Sequence, residues 1–423
     1  MVEDCTAGYN DAAFKETSLA MLHWSNGLFG YVCTLAALEA AFSPVPPPPL
    51  PKSWSLTPGP KSLDIAALSA AYRAGVTTPS AVISALYKRL LSTAKLDAIF
   101  LYVLPLSSLL KHTKFMEQSY PDPHARPPLY GIPFSIKDSI DLASVPTTTA
   151  CEALTYTPRS SAAVITRLVS LGAIPVGKTN LDQLATGLTG CRSPFGIPPN
   201  AYSTKHIPGG SSSGAAVSVG AGLVSFAVAT DTAGSGRVPA GFNGVVGFKP
   251  TKGTVSFAGV VTACESLDCI AFQTVTVASA RLLWRLTRGF DPDDRMAKHL
   301  PPVPRHVDAF PRTPRFRFAV PPKSRLDICS PPYLRLFSQT IERLQRLGGE
   351  LVASDSFWSV FDDAGKLLYD GSFVAERLAG LPRGWLDQNG STLHPVIRSI
   401  FASVKARGAT AEDVYRDLHR MMT

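Results

Sequence analysis

A chain of 423 residues, 45% of them hydrophobic, can bury a large core as one α/β domain or two smaller ones. Its formal charge of +9 is spread thinly, with stretches such as Arg343 to Arg346 and Lys405 to Arg407 interleaved with uncharged residues as on solvated helix faces, which speaks against a nucleic-acid partner. The seven cysteines form no Cys-x-x-Cys pair and the eight histidines no His-x-x-x-His, so a reducing, cytoplasmic compartment and no metal site are expected.

In chain order, residues 1–60 read as an N-terminal extension. Thr17 to Leu38 carries no charged side chain and is just long enough to cross a bilayer. It contains His23, Asn26, Gly27 and Gly30, however, and its upstream flank (Glu3, Asp4, Asp11, Glu16) is acidic where a signal peptide is basic. A dispensable extension or packed helix is therefore favoured over a membrane anchor. The polyproline spacer Pro44 to Pro51 follows, and the folded domain is expected over residues 61–423. Leu63 to Ala74 has helical apolar spacing and stops at Gly75; Thr78-Pro79 offers an N-cap and first-turn proline for a helix from Ser80 to Leu91. A β-like run from Ala98 to Leu104 precedes a helical stretch to about Glu117. From Tyr130 onward, short apolar runs (Ile132 to Ile136, Ala173 to Val176, Leu223 to Ala229, Val245 to Phe248) alternate with helical windows (Ser161 to Leu171, Ala215 to Ala221). That alternation predicts an α/β fold: a mixed β-sheet covered by helices on both faces. A proline-rich connection from Pro301 to Pro322 contains a strand, Phe316 to Val320. Pro332 to Leu347 reads as a helix, as do segments of the last 60 residues.

Three segments carry chemistry: Gly131-Ile-Pro-Phe-Ser-Ile-Lys137-Asp138, Pro208-Gly-Gly-Ser211-Ser-Ser-Gly-Ala-Ala216 and Thr230-Asp-Thr-Ala-Gly-Ser235-Gly-Arg237. They supply one lysine in an apolar run and two serines in glycine-rich turns, which suits a serine nucleophile activated without histidine. Gly209 to Gly214 lacks the Gly-Lys-Ser/Thr ending of a phosphate loop. Ser235 lacks the Gly-x-Ser-x-Gly frame of a nucleophile elbow. A flexible linker fits poorly with the apolar segments that come next, and a turn whose amides converge on an anion fits well.

In order and spacing, with Ser235 standing 24 positions after Ser211, the block from Gly131 to Gly253 resembles the amidase signature family. Within it, Asn180 to Gly187, Asp231 to Ala240 and Ser266 to Cys269 look most like allophanate hydrolases, enzymes of urea degradation. The resemblance runs from about Leu63 to the C-terminus and implies the amidase signature fold. It implies a Ser-cisSer-Lys triad, with Ser235 as nucleophile, Ser211 as proton relay after a cis Gly210–Ser211 peptide, and Lys137 as a buried, neutral base. It also implies an oxyanion hole of the Thr232, Ala233, Gly234 and Ser235 amides, with Asp231 and Arg237 structural. No cofactor is implied. Family members are often dimers, so a homodimer is the assembly to look for.

For the substrate, Leu368-Tyr369 to Arg377 resembles the segment in which allophanate hydrolases hold a carboxylate with a Tyr and an Arg. On one unbroken helix these two residues would lie about 12 Å apart along the axis, so Gly371 must interrupt the helix or Arg377 must reach back. Thr186 and Gly187 are expected on the opposite wall, their backbone facing the substrate amide. Gly244, Ser144 and Glu152 depart from the allophanate-hydrolase pattern. The chain also stops at Thr423, where those enzymes continue into a further domain. The implied activity is release of ammonia from a small carboxylated amide. The alternatives are another amide in a specialised biosynthetic pathway or an amidotransferase A-type subunit, the latter opposed by Ala233 and Gly236, which break its Gly-Gly-Ser-Ile-Arg form.

Overall fold

The computed structural model describes residues 62–300, 316–352, 355–369 and 371–422. The expected N-terminal extension lies outside the described residues, as does most of the proline-rich connection after residue 300. The chain divides into two compact units. One joins Pro46–Leu300 to Val374–Ala409; the other draws its described residues from Pro301–Phe373 and Thr410–Thr423.

The first unit opens with helices α1 (Ile65–Arg73), α2 (Pro79–Ser92) and α3 (Leu96–Ile99), then strand β1 (Phe100–Val103) and α4 (Leu106–Ser119). Thr78 caps α2 by accepting from the Ala81 amide, and Pro79 fills its first turn, as its sequence predicts. Next come β2 (Pro133–Lys137), α5 (Ala163–Ser170), β3 (Ile174–Thr179), α6 (Ser213–Gly220), β4 (Phe226–Thr230), α7 (Arg237–Phe242), β5 (Val246–Phe248), β6 (Ile270–Thr274) and α8 (Val277–Thr287). The strands form one six-stranded sheet in the order β1-β3-β2-β4-β6-β5. Its centre, β3-β2-β4, is parallel, while β1, β6 and β5 join antiparallel, so the sheet is mixed as expected. Every position of β2, β4 and β6 is buried. Side chains alternate between the faces of a strand, so burial throughout means that both faces are covered. β6 and α8 are additions to the sequence reading. Gln273 interrupts the apolar run of β6, and its side chain donates 2.8 Å to the Gly236 carbonyl.

The alternation in β2 separates core from chemistry. Phe134 and Ile136 point to one face, where Phe134 stacks on Phe226 at 5.0 Å between ring centroids; burying a side chain of this kind contributes about 2 kcal/mol. Ser135 and Lys137 point to the other, where Ser135 Oγ lies 2.8 Å from Ser218 Oγ of α6. α6 is built from small residues, and it needs to be: a Cβ on Gly214 would lie 2.3 Å from the Ile99 carbonyl oxygen and 2.7 Å from the Asn180 nitrogen. That close approach sets the serine turn before α6 against the C-terminal ends of the parallel strands.

The second unit pairs β7 (Phe316–Phe318) with β8 (Gly349–Leu351) in parallel, joined by α9 (Pro331–Arg346). It adds α10 (Asp355–Tyr369) and α14 (Ala411–Met422), whose Asp417 accepts from the Ser372 amide at 2.8 Å and the Ser372 hydroxyl at 2.9 Å. Between α10 and α14 the chain forms α11 (Phe373–Ala379), α12 (Trp385–Asn389) and α13 (Pro395–Arg407). Of the two alternatives for this segment, the helix is interrupted: α10 ends at Tyr369 and α11 starts at Phe373. A Cβ on Gly371 would lie 2.4 Å from the Leu367 carbonyl oxygen, so only glycine fits that turn.

Candidate active site

Lys137 ends β2 and has no solvent exposure. Its Nζ donates to Ser211 Oγ at 2.8 Å and to Thr230 Oγ1 at 2.8 Å. Burial lowers its pKa to about 7; Asp182, Asp231 and Asp268 oppose that shift from a distance, and Arg377 assists it. No carboxylate pairs with the amine among the described residues. Ser211 follows a cis peptide from Gly210, and its carbonyl accepts from the Asp182 amide at 3.0 Å.

Thr230, the last residue of β4, has no role in the sequence reading. β2 and β4 are parallel with Ile136 opposite Val228, so both strands end at one edge and Thr230 reaches Lys137 there. Only that register, which one sequence does not display, could have revealed the contact.

Ser235 lies in the turn between β4 and α7, and its carbonyl accepts from the Ser212 amide at 3.1 Å, which holds the two serine turns together. No hydrogen bond joins the Ser211 and Ser235 hydroxyls among the described residues. Asp231 organises the turn. Its Oδ1 accepts from the Gly234 amide at 2.8 Å, and its Oδ2 from the Gly236 amide at 3.1 Å and Arg237 Nε at 2.8 Å. Lys249 Nζ lies 3.3 Å away. Burial by itself would raise Asp231, but Arg237 and Lys249 outweigh it and hold the carboxylate well below its ordinary range.

One amide of the expected oxyanion hole is already engaged in this structure. One N–H serves one acceptor at full strength, and that of Gly234 is committed to Asp231. The amides of Thr232, Ala233 and Ser235 have no acceptor among the described residues. Thr232 is held from behind, its hydroxyl donating to Asp268 and its carbonyl accepting from Lys249 at 2.9 Å.

On the expected substrate wall, the backbones of Thr186 and Gly187 are in different states. The Thr186 amide donates to the Gln183 carbonyl at 3.1 Å, and its carbonyl accepts from Arg192 at 3.3 Å, so its backbone is already occupied. Its hydroxyl instead accepts from Arg377 Nη1 at 2.7 Å. Gly187 has both backbone groups free among the described residues, and a Cβ there would lie 2.8 Å from the Asp182 carboxylate. Arg377 also donates to the Ala185 carbonyl at 3.2 Å, while its Nε is buried with no partner. Its Nη2 has no partner among the described residues either, so the Nε–Nη2 edge is uncommitted, and a carboxylate accepts from two such N–H groups side by side. Tyr369 closes α10, in the other unit, and its side chain lies outside the described residues.

The amidase family profile matches residues 81–378. The chain belongs to the amidase family. It is 39% identical over 284 residues to the urea amidolyase of Saccharomyces cerevisiae, spanning 67% of this chain and 15% of that relative. The A-type subunit of the glutamyl-tRNA(Gln) amidotransferase of Geobacillus stearothermophilus is 44% identical over 183 residues, 43% of this chain and 38% of that one. Among solved structures, a Kluyveromyces lactis allophanate hydrolase superposes with a TM-score of 0.72 at 31% identity, over 84% of this chain and 57% of that one. This amidase thus spans a small part of the urea amidolyase it resembles. No described helix is long and apolar enough to cross a membrane.

Proposed function

We propose that this amidase hydrolyses a small amide bearing a carboxylate, with allophanate the first candidate, and releases ammonia through an acyl-enzyme on Ser235. The observation that carries the reading is the fully buried Lys137, held by two hydroxyls and no acid. A lysine in that setting, with its pKa lowered to about 7, is half neutral at pH 7 and can accept a proton. Lys137 takes the proton of Ser211, and Ser211 takes that of Ser235 once the Ser235 side chain has rotated toward it. The Ser235 oxygen attacks the amide carbonyl. The Thr232, Ala233 and Ser235 amides stabilise the oxyanion, a class of interaction worth about 3 kcal/mol per donor. The proton returns through Ser211 to the departing nitrogen, which leaves as ammonia. Water then uses the same relay to free the acid. No cofactor enters these steps.

At the far end, Arg377 Nε and Nη2 are the donors left for the substrate carboxylate. The Gly187 backbone is free to meet the amide. The likeness to the K. lactis allophanate hydrolase supports allophanate over other carboxylated amides. The test is ammonia release from allophanate, malonamate and acetamide by the wild type and Ser235→Ala. We expect the two carboxylated amides to be preferred and the variant to be inactive on all three. A variant with near wild-type turnover would overturn the reading. Ammonia release only alongside a co-purifying protein would favour the amidotransferase alternative.

A further inference from the structure

We infer that Glu376, which touches neither the reacting atoms nor the substrate, is a positioning residue that fixes the separation between the carboxylate-binding guanidinium and the oxyanion loop, and so selects substrate length. The inference rests on the carboxylate role proposed for Arg377.

Glu376 and Arg377 are neighbours on α11, so their side chains leave the helix about 100° apart and reach different loops. Glu376 faces the turn formed by residues 264–268. Its Oε1 accepts from the Ser266 amide at 2.9 Å and the Ser266 hydroxyl at 2.9 Å, and its Oε2 from the Cys264 thiol at 2.8 Å. Three donors converging on one carboxylate make a firm attachment, not a solvated surface contact. The turn is itself closed: Asp268 Oδ2 accepts from the Ala263 amide at 2.7 Å and the Cys264 amide at 3.0 Å. The other oxygen of Asp268 accepts from the Thr232 hydroxyl. Glu376 is therefore linked through one compact turn to a residue of the oxyanion loop.

Arg377 completes the circuit on the opposite side. Nη1 is held by the Ala185 carbonyl and the Thr186 hydroxyl. The Ala185 amide donates to the Asp182 carbonyl at 2.9 Å, and the Asp182 amide to the Ser211 carbonyl at 3.0 Å. The guanidinium is thus braced toward the Ser211 turn, and its helix toward the Ser235 turn. Nε and Nη2 remain without a partner among the described residues, and the position of that edge is set from both sides. Without Glu376 the helix loses one brace while the catalytic turns keep all of theirs. A substrate that must span from the oxyanion donors to that guanidinium edge then loses its match, and one that ends before it does not.

The test compares Glu376→Ala and Glu376→Gln with wild type on malonamate, on succinamate (one methylene longer) and on acetamide, which has no carboxylate. Loss of a charge-anchored brace should raise the KM for malonamate roughly tenfold and shrink the malonamate-to-succinamate preference in kcat/KM by a similar factor. Acetamide turnover should stay within about twofold. Glu376→Gln should fall between, because its single carbonyl oxygen can still accept from Ser266 while its amide nitrogen cannot accept from Cys264. An unchanged length preference in Glu376→Ala would overturn the inference, as would an equal loss on all three amides. If Glu376→Ala does not fold, Glu376→Gln and Ser266→Ala are read in the same way, and an unchanged preference in both overturns it. The parent reading fails separately: it falls if Arg377→Ala weakens malonamate and acetamide alike.

Discussion

Two lysines lie one strand apart in this sheet, both without solvent exposure, and they differ in what faces them. Lys137 on β2 meets two hydroxyls. Lys178 on β3, paired in register with Ile136, meets the Asp138 carboxylate at 3.0 Å, Thr147 Oγ1 at 2.9 Å and the Pro146 carbonyl at 3.3 Å. Burial lowers the pKa of both, but for Lys178 the adjacent Asp138 pulls back toward the charged form. A buried cation beside an acid is a structural pair, whereas a buried amine among hydroxyls is free to accept a proton. Asp138 comes directly after Lys137 in sequence, yet its side chain serves the other lysine. There it also accepts from the Thr148 amide at 3.0 Å, fastening the turn that leads to Thr149.

The sharpest way to break this comparison is to replace each lysine by methionine. Lys137→Met should lower turnover by at least ~10³-fold, because the relay loses its terminal acceptor. Yet it should leave the protein at least as stable as wild type at pH 7, since it removes a buried group that resists ionisation. Lys178→Met should show the opposite order. It leaves Asp138 charged and buried without its cation, a loss of about 3–5 kcal/mol in stability, while the folded fraction retains measurable turnover. Denaturant melts and steady-state rates on both variants decide it. If Lys178→Met abolishes turnover in a fully stable protein, the division between the two lysines is wrong.

The same contrast shows what the sequence could and could not disclose. Lys137, Ser211 and Ser235 were legible because glycine-rich turns and a lysine in an apolar run are rare combinations, and their order matched a family. The helices at Ile65–Arg73, Pro79–Ser92 and Pro331–Arg346 were legible from apolar spacing and caps. Thr230 was not, since its role depends on the parallel register of β2 and β4. The engaged amide of Gly234 was also hidden, because an Asp-turn that satisfies the N–H groups of Gly234 and Gly236 and leaves that of Ser235 between them unpaired depends on backbone angles that residue types leave open. Glu376 looked like any acid on a helix until its donors, 110 positions or more away in sequence, were placed around it.

The smallest expected effect is in the pH dependence, and it stems from the Lys137 surroundings. With its pKa lowered to about 7, kcat/KM should rise with pH and level off above that value, losing about tenfold per unit on the acid side. The guanidinium of Arg377 is a like charge that helps lower this pKa. Arg377→Ala should therefore move the midpoint upward, measured on acetamide so that carboxylate binding does not enter. Stability supplies an independent check of the sign. From about pH 7 up to the ordinary lysine value of 10.5, the unfolded chain keeps a proton at residue 137 that the folded chain has released. Stability from this residue thus rises with pH across that window, and below it the penalty is complete. The advantage of Lys137→Met over wild type should be greatest below pH 7 and shrink as pH approaches 10. An advantage that grows with pH would mean that Lys137 is held as a cation in the folded protein, and that the base lies elsewhere.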